Sequence, residues 1–266
     1  MTLQRLTSLA LIAVFAVACR PDTESLGTDE EPLESAEHAE SIHALASWPG
    51  PGPLIPQSSP LVKEVYRFES KSWVRWAMGL PFSTGPITDT TGAACAQGQA
   101  GPVWYLAGTN GGSVTRSCTI PQSKFIFIPL INSWVVPTAE AVEAPEDLAE
   151  YLDFVNAYIP DVRAHTCNLK LRLDGAPLLA TQEQLDSKLW VQVLEPFPVQ
   201  VNDDNFGSEY GRPGGLSPVV VEGGHYALLR PLSRGSHVLE IGGALCEDDG
   251  TIVFETSAVY NLTVGH

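Results

Sequence analysis

Asp89, Gln99, Trp104, Arg116 and Asn132 are the residues whose types and spacing suit a small-molecule site. Ligand pockets join an apolar or aromatic wall to a few fixed polar groups. Here an indole is interleaved with a carboxylate, two amides and a guanidinium. The competing reading is structural. Arg116 would pair with Asp89, and Gln99 and Asn132 would bond loop backbone, so that polar groups buried beside a disulfide are satisfied. Either way, the stretch from 88 to 132 must fold as a packed nucleus.

A second chemistry would use paired carboxylates. Asp89 and Asp203 are the candidates for the acid and base of an extracellular, glycan-directed hydrolase, which needs two carboxyls several ångströms apart in a cleft. Asp203-Asp204-Asn205 is rich in oxygen, yet the D-x-[DN]-x-[DN]-G spacing of a calcium loop is absent, so a solvated turn is expected. Of the histidines, His237 alternates with Leu239 and Ile241 and reads as a satisfied residue on a sheet face. His225 follows two glycines and reads as a turn or strand edge, and sequence does not place His165 beside either. The chain has no G-x-S-x-G elbow, H-E-x-x-H helix, G-K-[ST] phosphate loop or G-x-G-x-x-G turn. No catalytic residue, metal or cofactor is assigned.

Five cysteines remain to be explained. Arg5 precedes an apolar run from Leu6 to Val17, too short for a spanning helix of about 20 apolar residues and suited to a secretory signal over 1–18. The run ends in Ala16-Val17-Ala18-Cys19, which resembles the lipobox of bacterial lipoproteins. That resemblance implies lipidation of Cys19 and a place in the cell envelope. It departs at Ala16, where a larger aliphatic residue is usual, and Ala16-Val17-Ala18 would equally serve as an A-x-A cleavage site for free secretion. Cys95, Cys118, Cys167 and Cys246 are then an even set in an exported chain. Cys95–Cys118 with Cys167–Cys246 is preferred among the three connectivities, because the first pair flanks an expected hairpin. Zinc is disfavoured, since no C-x-x-C pair is present.

Residues 20–47 carry Asp22, Glu24, Asp29, Glu30, Glu31, Glu34, Glu37 and Glu40 against Arg20, with few large apolar side chains. Such a composition predicts a disordered spacer. Pro49 to Pro60 favours extended backbone, so the tether is expected over 19–60 and one domain over 61–266. The formal net charge is −16, and the folded part stays acidic without the spacer. This excludes nucleic acid, whose binding needs basic surface. The partners expected are the membrane, through the lipid anchor, and a protein or glycan ligand.

The positioning elements follow from periodicity. Ser59-Pro60 starts a helix that carries Val62, Val65, Trp73, Trp76 and Ala77 and ends before Gly79; its tryptophans read as core. Val103 to Gly108 and Val114 to Thr119 are strands joined by Asn110-Gly111-Gly112, a hairpin signal. Phe125 to Ile131 is apolar on both faces, with Pro129 marking an edge or bend. Pro145 to Ile159 follows helical spacing, and Pro160 is expected to end it. Period two returns at Leu169, Leu171 and Leu173, with turns at Asp174-Gly175 and Asp249-Gly250. Short strands are expected at Leu189–Leu194, Val219–Glu222, Tyr226–Leu229, Ser236–Gly242, Ile252–Glu255 and Ala258–Val264. Many strands and two short helices predict a mainly β fold, an antiparallel jelly-roll or Ig-like sandwich.

Trp73-x-x-Trp76-Ala77, Asp89-Thr-Thr-Gly92-x-x-Cys95-x-x-Gly98-Gln99-x-Gly-Pro-Val-Trp104-Tyr-Leu-Ala-Gly-Thr and Arg116-x-Cys118-Thr-Ile-Pro121 resemble an uncharacterised family of exported bacterial proteins. Asp204-Asn205-x-Gly207, Gly224-x-Tyr226 and Pro231-Leu232-Ser-x-Gly235-x-His237 match its later segments. Gln122-Ser123 departs from the family's glycine before the lysine. The resemblance implies a secreted β-rich domain and no established activity. Read together, the residues predict an exported binding or structural module at the envelope, with the hydrolase as the alternative.

Overall fold

Ser59 and Pro60 start the first helix as their types dictate. The Ser59 hydroxyl accepts from the Val62 N–H at 3.3 Å, and Pro60 sits where a missing N–H is harmless. The computed structural model describes residues 40–42, 44–45, 50 and 52–265. The expectations for the signal over 1–18 and for Cys19 lie outside them. The chain runs α1 (Pro60–Gly79), β1 (Val103–Tyr105), β2 (Gly112–Pro121), β3 (Phe125–Val135), α2 (Pro145–Ala164), β4 (Thr166–Leu173), β5 (Ala176–Pro177), α3 (Gln182–Leu189), β6 (Trp190–Val201), β7 (Gly215–Leu229), β8 (Gly235–Cys246) and β9 (Ile252–Gly265).

Two sheets form, in the orders β1-β3-β7-β6 and β2-β9-β8-β4-β5. Strand alternation sorts their side chains into layers. Phe125, Phe127, Tyr226 and Leu228 face α1 and its Trp73 and Val74. Ile126, Ile128, Ala227 and Leu229 face Leu239, Ile241, Tyr260 and Leu262 of the second sheet. The first sheet is therefore covered on both faces, as the unbroken apolar run of β3 requires. Trp73 and Trp76 are core, and their indole N–H groups donate to the Leu106 and Gln97 carbonyls, each at 2.9 Å.

The fold is mainly β, as expected, but its sheets are mixed. β1 pairs with β3 in parallel, and β2 pairs with β9 in parallel. Hence Asn110-Gly111-Gly112 closes no hairpin: it carries the chain from one sheet to the other, with positive φ at Gly111 and Gly112. The local turn signal was sound, but β1 and β2 find better partners elsewhere. Asp174-Gly175 and Asp249-Gly250 do make the expected antiparallel turns.

Among the described residues three helices have seven residues or more, and two of them are long. α2 continues through Pro160 to Ala164, because Pro160 is exposed while Ile159 and Val162 on either side are buried. α3 escaped the sequence reading, although Thr181 caps it by accepting from the Gln184 N–H at 3.2 Å; a threonine followed three residues later by Gln is a usable start signal. β7 runs unbroken through Gly223-Gly224-His225, which the sequence suggested as a break. Side chains crowd the backbone there: a Cβ on Gly223 would meet Ile159 Cγ2 at 2.5 Å, and one on Gly224 would meet Asn132 Cβ at 2.4 Å.

The expected tether also ends earlier than residue 60. Ile55 donates to the Leu228 carbonyl at 2.9 Å, Leu54 bridges to Leu229, and Ile42 and Leu45 are buried with α1. The prolines that suggested a spacer supply the extended backbone that pairing needs. Cys95 joins Cys118, and Cys167 joins Cys246, the preferred pairing, though the first bridge ties a loop to β2 rather than flanking a hairpin. Two disulfides belong to an oxidising, non-cytoplasmic compartment. Among the described residues, no helix is long and apolar enough to cross a membrane.

Candidate functional site

β1 is three residues long, so from Ile128 onward β3 has an open edge. Pro129, with no N–H to donate, is tolerated at such an edge. A register shift between Pro129 and Ile131 then re-aims the residues that follow, as bulges do beside binding sites. The open edge, the end of α1, the Gly108–Asn110 turn and the start of β9 enclose a cavity of about 220 Å³. Phe82, Asn132, Trp134, Phe206, Phe254 and Thr256 line it, and no charged side chain among the described residues does. Phe206 and Phe254 are 40% and 37% exposed, forming an apolar rim. Thr109 and Thr256 share a hydroxyl hydrogen bond of 2.8 Å that fastens the turn to β9.

Behind Asn132 lies a buried polar chain. The Asn132 amide Nδ2 donates to the Tyr226 hydroxyl at 2.9 Å, and that hydroxyl donates to Glu222 Oε2 at 2.7 Å. Glu222 is fully buried, and its Oε1 has no hydrogen-bond partner among the described residues. Burial pushes its carboxyl up to about 7, against the opposing pull of Ser70, Tyr226 and Arg67.

A folded value above the unfolded 4.5 means that the native state holds the extra proton, so stability is full below 4.5 and falls as the pH rises through about 7. At 1.36 kcal/mol per unit the loss is about 3 kcal/mol. Glu222→Gln should abolish it: His225 and the other titrating groups act alike in both proteins, so in urea unfolding the wild type is expected to lose about 2.5 kcal/mol relative to the variant between pH 5 and pH 8. Equal pH dependence of the two would mean that Glu222 does not titrate.

The five residues singled out in the sequence divide. Asn132 lines the cavity. Gln99 does not: it mimics a strand neighbour, with Oε1 accepting from the Tyr105 N–H at 2.9 Å and Nε2 donating to its carbonyl at 2.8 Å. Trp104 is in the core between the sheets, its indole N–H buried without a partner among the described residues. The Asp89 carboxylate caps its own loop, accepting from the N–H groups of Thr91 and Ala94 at 2.8 and 2.9 Å. Burial opposes its ionisation, but these bonds and the Thr91 hydroxyl prevail and hold the carboxyl below its usual range.

Arg116 is 1% exposed and is paired with no carboxylate among the described residues. Its Nε donates to the Asp89 carbonyl at 2.7 Å. Its two terminal nitrogens reach the carbonyls of Ala107, Gly108 and Ile87 and the Tyr260 hydroxyl, at 2.6 to 3.0 Å. The space between Asp89 and Arg116 is filled and admits no ligand. The expected ion pair is thus replaced by a backbone clamp. Since Ile87 and Gly108 line the cavity, the clamp holds two of its walls from behind.

No family model, curated protein or solved structure matches the chain. What the arrangement can do therefore has to be read from its chemistry.

The paired-carboxylate reading finds no support in the geometry. Asp89 is committed to its loop, Asp203 is exposed on another, and neither lines the 220 Å³ cavity. Asp204 and Asn205 are also committed, Asp204 to the N–H of Ser83 at 3.2 Å and Asn205 to the Asn202 carbonyl and the Gly207 N–H at 3.0 and 2.9 Å. Among the described residues no acid, histidine or cysteine group is arranged for a metal.

His225 is the residue sequence reasoning misplaced most. It is fully buried in mid-strand, with Nε2 2.9 Å from Asp186 Oδ1. Asp186 is also gripped by Arg163 through two bonds of 3.1 and 2.9 Å. Burial pulls the imidazole down to about 4, although Asp186 favours its charged form. A neutral ring bonded to a carboxylate carries its proton on Nε2, which leaves Nδ1 a bare buried acceptor without a partner among the described residues. Nucleophilic catalysis would need a hydroxyl or thiol there. The pair instead ties α3 and α2 to β7.

Proposed function

We propose that the chain is an exported binding module of the cell envelope, anchored through lipid on Cys19, that takes a small uncharged ligand in the cavity lined by Asn132, Trp134, Phe206 and Phe254. The cavity carries this reading. It is smaller than the ~300–1,000 Å³ of sites for drug-sized ligands, which suits a single ring. Its walls are aromatic, and it offers no charge to compensate an ion, whose desolvation would be prohibitive. Asn132 Oδ1 makes no hydrogen bond to the described residues, so a lining residue has a free acceptor. The two disulfides and the signal-like N-terminus support export.

The binding half is tested by NMR titration of the disulfide-bonded protein with single-ring compounds, neutral and charged. Neutral rings should shift resonances of Trp134 and Phe254, and Trp134→Ala should remove the response. Preference for charged compounds, or no response at these residues, would overturn it. The anchoring half is tested by mass spectrometry of the mature N-terminus. An acylated Cys19 is expected, and an unmodified soluble chain would end that part of the reading.

A further inference from the structure

The direction of the buried chain behind the cavity limits what the cavity can read. With Glu222 ionised, as at the pH 8 of the experiment below, its carboxylate can only accept, so the one hydroxyl proton of Tyr226 goes to Glu222 Oε2 at 2.7 Å. Its oxygen can then only accept from Asn132, and does so from Nδ2 at 2.9 Å. The amide of Asn132 is thereby prevented from flipping, and Oδ1 is the atom left over. Tyr226 is itself immobilised, stacked on Phe127 at 5.1 Å and packed on Trp73 at 6.2 Å. Gly224, opposite Asn132 in the β3–β7 ladder, has no side chain to push it aside, and a Cβ there would meet the Asn132 Cα at 2.7 Å. The cavity therefore presents a fixed acceptor among the rings of Phe82, Trp134, Phe206 and Phe254.

A wholly apolar ligand would strand that acceptor, and leaving a polar group unpaired in a dry site is costly. An anion would be repelled by it and find no cation on the walls. The ligand that fits has O–H donors at its edge and an apolar face of C–H groups to lie on aromatic rings. Resting on the binding function proposed above, we infer that the cavity takes one neutral sugar ring, with Asn132 Oδ1 accepting from a ring hydroxyl and Tyr226 acting as the positioning residue for that amide.

The experiment titrates the disulfide-bonded protein at pH 8 with the methyl glycosides of glucose, galactose, mannose and N-acetylglucosamine, with the monodeoxy analogues of whichever binds, and with phenol and indole as ring controls. At least one glycoside should bind, and one deoxy analogue should bind about tenfold more weakly. In Asn132→Ala, and separately in Tyr226→Phe, the parent sugar should lose about tenfold while that deoxy analogue loses nothing further. A merely structural role would weaken both sugars alike. If phenol or indole binds and no glycoside does, the sugar inference falls while the binding function stands. If glycosides bind but neither variant erases the deoxy discrimination, the role of Asn132 falls. If nothing binds at the cavity, both fall.

Discussion

Arg116→Met should lower the unfolding free energy by about 4 kcal/mol. Each buried acceptor left without its donor typically costs about 1–3 kcal/mol, and here three carbonyls are stripped at once. Asp89, Ile87 and Gly108 would lose the Arg116 donor together, while the Ala107 carbonyl and the Tyr260 hydroxyl would be left with each other at 2.7 Å. Arg116→Lys should rescue little, since a compact ammonium cannot reproduce the planar fork. Guanidinium unfolding with an unchanged slope would measure the loss. A Met variant within about 1 kcal/mol of wild type, no more than the cost of one stranded acceptor, would show that the clamp is dispensable. The same variant should loosen the cavity, because Ile87 and Gly108 belong both to the clamp and to its wall.

Replacing Cys167 and Cys246 together by alanine should cost about 4.5 kcal/mol. The bridge spans 79 residues, and in the chain-entropy model a loop of that length removes about that much freedom from the unfolded chain. Both cysteines are only half-buried, so little cavity energy adds to it. The bridge ties the start of β4 to the end of β8, across a ladder whose register shifts between Cys167 and Lys170. Equilibrium unfolding of the double variant against the wild type gives the value. A loss under about 2 kcal/mol, well short of the chain-entropy figure, would mean that the unfolded chain is already restricted there.

Local chemistry was legible wherever a residue answers to its neighbours in sequence. Ser59-Pro60 started α1, Asp249-Gly250 turned the β8–β9 pair, and the alternation of Leu169, Leu171 and Leu173 faced the core as its period required. Composition and cysteine parity pointed to a β-rich, disulfide-bonded domain. Partnership between distant strands was not legible. The Asn-Gly signal at 110–111 is real as a turn, yet nothing local says that β1 will lie parallel to β3 and β2 parallel to β9.

The site shows the same division. The sequence by itself marked the segment from 88 to 132 as the one where polar residues gather, and it picked out Asn132. The tertiary structure decided which of those residues meets a cavity. Arg116 and Asp89 were drawn inward by carbonyls and N–H groups left unpaired where loops cross, while Asn132 came to the surface of a hollow opened by the short β1 and the shift at Pro129. Glu222 and Tyr226, which fix the Asn132 amide, are 90 and 94 residues away from it in the chain, and only the β3–β7 register brings them behind it. Hydrogen-bond satisfaction in a buried interior depends on long-range pairing, and pairing is settled by the whole fold.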